Sequence, residues 1–363
     1  MKTAWQIKKL GEILNLEYGK PLPEEKRKFN GKYPVYGANG VIDRTNEYYY
    51  NEQSIVVGRK GSAGEINLTE KMFWPLDVTY FVTFDQKKYD LKYIYHLLDD
   101  LELPRLAKGV KPGINRNEVY SIDVEVPPLS EQRRIVAKLD KAFAAIAKAK
   151  ENAEKNLADS KELFESYLNG VFAKPGKDWE EKRLGEVCKV IAGQSPKGKY
   201  YNNSGKGLPF YQGKKEFTDK FIGKPTTWTT EITKVAQAGD ILMSVRAPVG
   251  PVNFATQKIC IGRGLAAIRA TKLIDKEYLF NFLVKHESEI VGNTGAVFNS
   301  INKAQIEDFS VSCPNIAKQC AIVAKLDALS AQTKKLEAIY AQKLADLEEL
   351  KKSILQMAFN GEL

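Results

Sequence analysis

The 363-residue chain contains only two histidines, His96 and His286, and four cysteines, Cys188, Cys260, Cys313 and Cys320. Two histidines leave little material for catalysis or metal ligation built on imidazole, and each is expected on a helix surface. No two cysteines form a CxxC pair. That argues against a zinc ribbon, and the thiols are expected to be small buried or neutral residues rather than a disulfide framework. No run of about 18 apolar residues occurs, which predicts no transmembrane helix. The opening residues Met1 to Gln6 lack the apolar stretch of a signal peptide, so a cytoplasmic location is expected. Acidic residues are in deficit too: 45 Asp and Glu against 55 Lys and Arg leave a net charge of +10. The excess is uneven, +7 over residues 173–317 against +1 in each of 1–130, 131–172 and 318–363. Such an imbalance suits a polyanionic partner.

Reaction motifs are missing as well. Gly198 and Gly205-Lys206 have the wrong spacing for a P-loop, and Gly207 stands where Ser or Thr is needed. The one Pro-Pro pair, Val126-Pro127-Pro128-Leu129, lacks the polar lead and the aromatic of an amino-methyltransferase tetrapeptide. No HExxH, GxSxG or GxGxxG occurs; Gly58-Arg59-Lys60-Gly61-Ser62-Ala63-Gly64 is the nearest glycine loop. Asp99, Asp100 and Glu102 read as a solvated cluster at a helix end. Nothing here builds an enzyme.

What the chain does contain is itself, twice. Trp5…Leu10-Gly11-Glu12 returns as Trp179…Leu184-Gly185-Glu186, 174 residues later. Ile55…Gly64 returns as Ile241…Gly250 at an offset of 186, and Ile114-Asn115-Arg116 as Ile301-Asn302-Lys303 at 187. Gln132…Asp140 matches Gln319…Asp327, also at 187, and Leu168-Asn169-Gly170 matches Phe359-Asn360-Gly361 at 191. The steps in offset predict an insertion of a dozen residues in the second copy between Gly185 and Ile241, and four extra residues in its closing segment.

Each copy opens with short β-branched and aromatic runs separated by Gly, Pro and Asn, such as 54–57, 78–84 and 121–126, then 240–245, 264–269 and 309–312. Helices are expected at 91–101 and 276–285. Each copy closes on a long helix whose apolar residues step by three and four, from Ile135 to Leu168 and from Ile322 through Leu336 to Ala358. Ser130 is the expected N-cap of the first, and Gly170 and Gly361 the residues past each end. Two such helices need partners, and antiparallel pairing with each other is the simplest arrangement. The predicted fold is α+β: two globular mixed α/β modules joined by two long antiparallel coiled-coil helices, with an internal pseudo-two-fold repeat. The boundaries are 1–130 and 178–315 for the modules, 131–172 and 316–363 for the helices, and 173–177 for the linker.

Two glycine-rich loops in each copy bring backbone close to basic and amide side chains, the combination used for phosphate and groove contacts. In the first copy they carry Arg59, Lys60 and Ser62, then Lys111 and Asn115; in the second, Arg246, then Asn299. The clusters Tyr48-Tyr49-Tyr50 and Tyr200-Tyr201 could stack on bases, although packing between strands is the commoner use of such residues.

At Pro127-Pro128-Leu129-Ser130-Glu131-Gln132, continued by Ile135-Val136-Ala137-Lys138-Leu139-Asp140, the chain resembles the specificity subunits of type I restriction–modification enzymes. The similarity covers the whole chain, although the second helix start, Cys313-Pro314-Asn315-Ile316-Ala317-Lys318-Gln319, lacks the second Pro and the Glu before Gln. The resemblance implies two target recognition domains, each reading one half of a split, asymmetric sequence in double-stranded DNA. It implies helices that space the halves and dock two methyltransferase subunits, and separate restriction/translocase subunits. The chain itself would be non-catalytic and hold no cofactor. S-adenosylmethionine, ATP and magnesium would belong to the partner subunits. On this reading Arg59, Lys60, Ser62, Lys111 and Asn115 are the candidate contacts of the first domain, and Lys214, Arg246, Arg263 and Asn299 those of the second. The alternative is a coiled-coil scaffold for proteins, without sequence-specific DNA binding.

Overall fold

The computed structural model describes residues 5–173, 175–287 and 300–363. They fall into two units, residues 1–154 with 341–363, and residues 155–340. The first unit runs β1 (Gln6–Lys9), α1 (Leu10–Ile13), β2 (Leu14–Tyr18), β3 (Tyr33–Gly37), β4 (Gly40–Thr45), β5 (Ile55–Gly58), β6 (Ile66–Leu68), β7 (Trp74–Pro75), β8 (Thr79–Phe84), α2 (Leu91–Asp100), α3 (Arg116–Tyr120) and β9 (Asp123–Val126) into the long helix α4 (Leu129–Ala173). β1 pairs with β9, so the module's first and last strands close on each other. Strands in the order β2-β8-β5-β6 make an antiparallel sheet, and β3 lies between antiparallel β4 and parallel β7.

The second unit repeats this plan. It runs β10 (Glu180–Arg183), α5 (Leu184–Val187), β11 (Cys188–Ala192), β12 (Tyr201–Asn202), β13 (Leu208–Tyr211), β14 (Trp228–Thr229), β15 (Val235–Ala236), β16 (Ile241–Ser244), β17 (Val252–Phe254), β18 (Ile259–Ile261), β19 (Leu265–Ala270), α6 (Lys276–Lys285), α7 (Lys303–Glu307) and β20 (Ser310–Cys313) into α8 (Ile316–Phe359). β10 pairs with β20, and β11-β19-β16-β17 reproduces the four-stranded sheet. The small sheet has grown to five strands, β12-β14-β13-β18-β15, and the expected insertion lies within this stretch.

Both cores are built alike. In the first, Ile55 and Val57 of the sheet and Tyr93, Ile94, Leu97 and Leu98 of α2 bury against Ile135 and Leu139 from the start of α4 and Leu355 and Ala358 from the end of α8. In the second, Ile241, Ile268, Tyr278, Leu279 and Leu283 bury against Leu326 from the start of α8 and Leu168 and Phe172 from the end of α4. Inside the first unit the helices run in opposite directions: Arg134 Nη2 donates to Leu363 O at 2.6 Å, and Lys150 meets Glu348 at 2.7 Å.

Several expectations need correction. α4 begins at Leu129, and Pro128 rather than Ser130 precedes it, its carbonyl accepting from the N–H of Glu131 and Gln132. α4 passes through Gly170 to Ala173, so Gly170 ends nothing. Gly361 does follow its helix, at φ 74°, in a Schellman pattern of Gly361 N to Ala358 O and Glu362 N to Met357 O. The Asn-Gly pairs are therefore not equivalent. Phe172 packs on Tyr278 at 5.4 Å as Phe359 packs on Tyr93 at 5.4 Å, and the helices have 45 and 44 residues, so α8 carries no four-residue insertion. Leu336 is 36% exposed, whereas Thr333 at 3% fills that part of the stripe with its hydroxyl on Ser330 O. Cys188, Cys260 and Cys313 are buried, and Cys320 is exposed.

His96 is not at a surface: it is 7% exposed, with Tyr95 and Phe143 rings edge-on at 5.4 and 5.5 Å. Burial holds its imidazole below the ordinary 6.5, against the pull of Asp140 and Asp99, with Lys92 and Lys351 adding to the depression. Its folded pKa is the lower one, so its share of stability is complete above about pH 6.5 and is lost as pH falls below that. His96→Phe should accordingly shrink the drop in melting temperature between about pH 7.5 and 5.5 relative to the unaltered chain.

One buried side chain in each unit ties module to helix. The Gln132 amide accepts from Asp90 N at 2.9 Å and donates to Pro127 O at 2.9 Å and Lys88 O at 3.2 Å. Gln319 accepts from Asp275 N at 2.7 Å and donates to Pro314 O at 2.7 Å and Leu273 O at 3.5 Å. Both are 1% exposed or less. Asp90 and Asp275 are in turn the N-caps of α2 and α6. Gln132→Leu and Gln319→Leu would each leave buried backbone groups unmet and should cost about 1–3 kcal/mol, measured as a denaturant-midpoint shift of the affected unit alone.

Candidate nucleic-acid interface

The two glycine loops of the first module meet. Arg59 N and Lys60 N both donate to Val78 O, Gly61 N donates to Pro112 O at 3.0 Å, and Ile114 N to Arg59 O at 3.1 Å. Gly64, at φ 87°, lies where a Cβ would come within 2.4 Å of Pro104 N. These bonds consume the backbone and leave Lys60 and Lys111 exposed, with Ser62 half-buried between them in sequence. The second module repeats the junction: Val245 N donates to Gly264 O, Ile301 N donates to Val245 O, and Arg246 bridges to Ser300. Lys60 and Arg246 thus occupy one position in the two copies, both basic and both exposed.

The remaining candidates divide. The Arg59 guanidinium is half-buried, 5.2 Å from the Tyr18 ring, and Arg116 lies 5.0 Å from the same ring. Tyr18 in turn packs on Tyr80 at 5.1 Å. Burial, then the Tyr18 hydroxyl, push the Tyr80 phenol up, with Arg59 and Arg116 pulling the other way. Arg116 directly follows Asn115 at the end of the second glycine loop but was not among the candidates; its place at the start of α3 is what brings it to Tyr18. Val245 stands where Arg59 does, so the second module has no copy of this arrangement. Asn115 is the N-cap of α3, its Oδ1 accepting from Asn117 N at 2.9 Å. Asn302 caps α7 in the same way, which makes it the counterpart of Asn115; Asn299 lies outside the described residues.

Lys214 opens a single 3-10 turn, and it is its neighbour Lys215 that joins Arg263 in an open groove with Gln212, Tyr201 and Phe210. Gln212 gave no signal in the sequence. Tyr201 stacks on Phe210 at 4.7 Å, and Tyr50 packs on Phe73 and Phe81, so these tyrosines serve the modules' own packing. Asp99, Asp100 and Glu102 are half-buried beside Lys351 and Lys352 rather than fully solvated, and burial, then Asp99, raise the Asp100 carboxyl. Among the described residues no group of three or more His, Cys, Asp or Glu could hold a metal ion, and no helix is long and apolar enough to cross a membrane.

The family described as the type I restriction modification DNA specificity domain matches residues 2–155 and again 176–348. A putative type I restriction enzyme MjaX specificity subunit of Methanocaldococcus jannaschii is 32% identical over 302 residues, 77% of this chain and 69% of that one. The EcoDI specificity subunit of Escherichia coli is 23% identical across all of this chain and 89% of its own. Among solved structures, the HsdS subunit from Thermoanaerobacter tengcongensis aligns at a TM-score of 0.71 and 28% identity, covering 100% of this chain and 98% of that one. A chain from work on complex assembly and conformational transition of the type I R-M system aligns at 0.80 and 27%, covering 99% of both. Two matches in tandem, on the two modules that share the Gln-anchored framework, place the chain in this family: it is a type I restriction–modification DNA specificity subunit.

Proposed function

We propose that each module reads one half of a split, asymmetric sequence in double-stranded DNA, and that α4 and α8 set the distance between the halves. The observation that carries this reading is the recurrence of one loop junction in both modules, with a basic side chain, Lys60 or Arg246, at the same position. A charge kept while neighbouring residues diverge suits the one feature common to both half-sites, the phosphate backbone. The helices would dock two methyltransferase subunits, and restriction/translocase subunits would complete the cytoplasmic complex. S-adenosylmethionine, ATP and magnesium would be held by those partners. The chain supplies no chemistry of its own; it orients partner enzymes on a chosen sequence.

Co-expression with a cognate modification subunit, followed by single-molecule sequencing of host DNA, should reveal methyladenine in a split motif on opposite strands. A stable complex that marks no motif would instead favour a protein scaffold. In binding assays with the assembled complex, the double variant Lys60→Ala/Arg246→Ala should weaken all sequences alike and flatten the log–log salt dependence by roughly two units.

A further inference from the structure

A second junction in each module lies beside the first and behaves in the opposite way. In the first module Gly19 N donates to Thr79 O, Lys20 N to Pro75 O, and Leu76 N to Tyr36 O. In the second, Gly193 N donates to Leu265 O, Gln194 N to Ile261 O, and Gly262 N to Tyr211 O. Parallel pairs hold the same register in both, Tyr36 with Pro75 and Tyr211 with Ile261. A Cβ on Gly19 would stand 2.0 Å from Leu76 O, and one on Gly193 2.1 Å from Gly262 O, so the same close approach recurs. Three chain segments therefore meet through the same three backbone bonds in the two copies, and the second adds one, Gly264 N to Gln212 O at 3.1 Å.

The side chains they carry do not match. Where the first module has Gly37 and Asp77, the second has Gln212 and Arg263. Gln212, Arg263 and Asp77 are all exposed. Among the described residues neither Asp77 nor Arg263 makes an ion pair or a side-chain hydrogen bond. Gln212 is preset: Arg263 N donates to Ser195 Oγ at 3.1 Å, and Ser195 Oγ donates to Gln212 Oε1 at 2.9 Å. A shared backbone framework, bearing a reversed charge and a gained amide, is what two readers of different half-sites require. The neighbouring junction, where Lys60 and Arg246 keep one charge, lacks that property.

Resting on the proposed DNA-reading function, we infer that this second junction is where base identity is read, by Gln212 and Arg263 in the second module and by Asp77 in the first. Arg263 has the chemistry for a guanine edge, Gln212 for adenine, and Asp77 for the cytosine amino group.

The test is the methylation motif of the complete complex carrying Arg263→Ala, Gln212→Ala or Asp77→Ala. Each substitution is at an exposed position, and complex yield and melting temperature should be unchanged. Arg263→Ala and Gln212→Ala should each relax one position of one half-site, by roughly tenfold to a hundredfold in discrimination. Asp77→Ala should relax a position in the other half-site. Motifs that stay as strict as those of the unaltered complex, or that relax in both halves at once, overturn the assignment and leave the DNA-reading function standing. An unaltered complex that marks no split motif overturns both.

Discussion

The structure depends on a primary amide buried where each long helix begins. A buried amide must have its donors and acceptor met or it destabilises the fold. Gln132 and Gln319 meet theirs only if three things coincide: the preceding strand has ended, the helix has begun, and the loop before α2 or α6 lies against it. Each amide therefore fixes where its module sits along its helix. The tyrosines Tyr93 and Tyr278 add a second tie of the same kind, their hydroxyls donating to Glu125 O and Ser312 O while their rings pack on Phe359 and Phe172. Each module is thus held by the first half of its own helix and the last half of the other.

With position fixed in this way, the rest of each module can diverge without loss of the fold. The two units show what divergence was accepted. The small sheet of the second has five strands to the first's three. Lys92 meets Asp140 directly in one unit at 2.6 Å; in the other, Lys220 stands between Glu277 and Asp327. The charge at the α2 or α6 position is reversed, and a lysine from elsewhere restores the balance. The exposed Lys92–Asp140 pair contributes little to stability, so this contact is free to change in a way the buried glutamines are not.

The duplication, the strand runs at 54–57, 78–84 and 121–126 and their copies, α2, α6 and the long helices were legible because hydrophobic periodicity and glycine spacing are local signals. The family resemblance rested on Gln132 and its neighbours, yet what that glutamine does was not legible, since its partners Lys88 and Asp90 lie more than 40 residues upstream. The same limit explains the errors. Gly170 in the sequence looks like a helix end, but Val171 and Phe172 still have a core to pack against, and packing overrides one glycine's preference. Leu336 fits the step of the apolar stripe less well than Thr333, whose hydroxyl is satisfied by its own helix.

Among the candidate contacts, Lys60 and Lys111 stood out because basic residues among glycines are conspicuous in one dimension, and Arg246 because it repeats the first of these loops. Gln212 and Arg263 form a pair only because β13 and β18 lie side by side in parallel, bringing residues 51 positions apart to one groove. The sequence by itself determined the repeat, three strands of each module, α2, α6, the two long helices and the family, all of which follow from local pattern. Which residues share a surface, and which copies truly correspond, was decided only by tertiary structure, because hydrogen bonds between distant segments select the register and no local pattern records them.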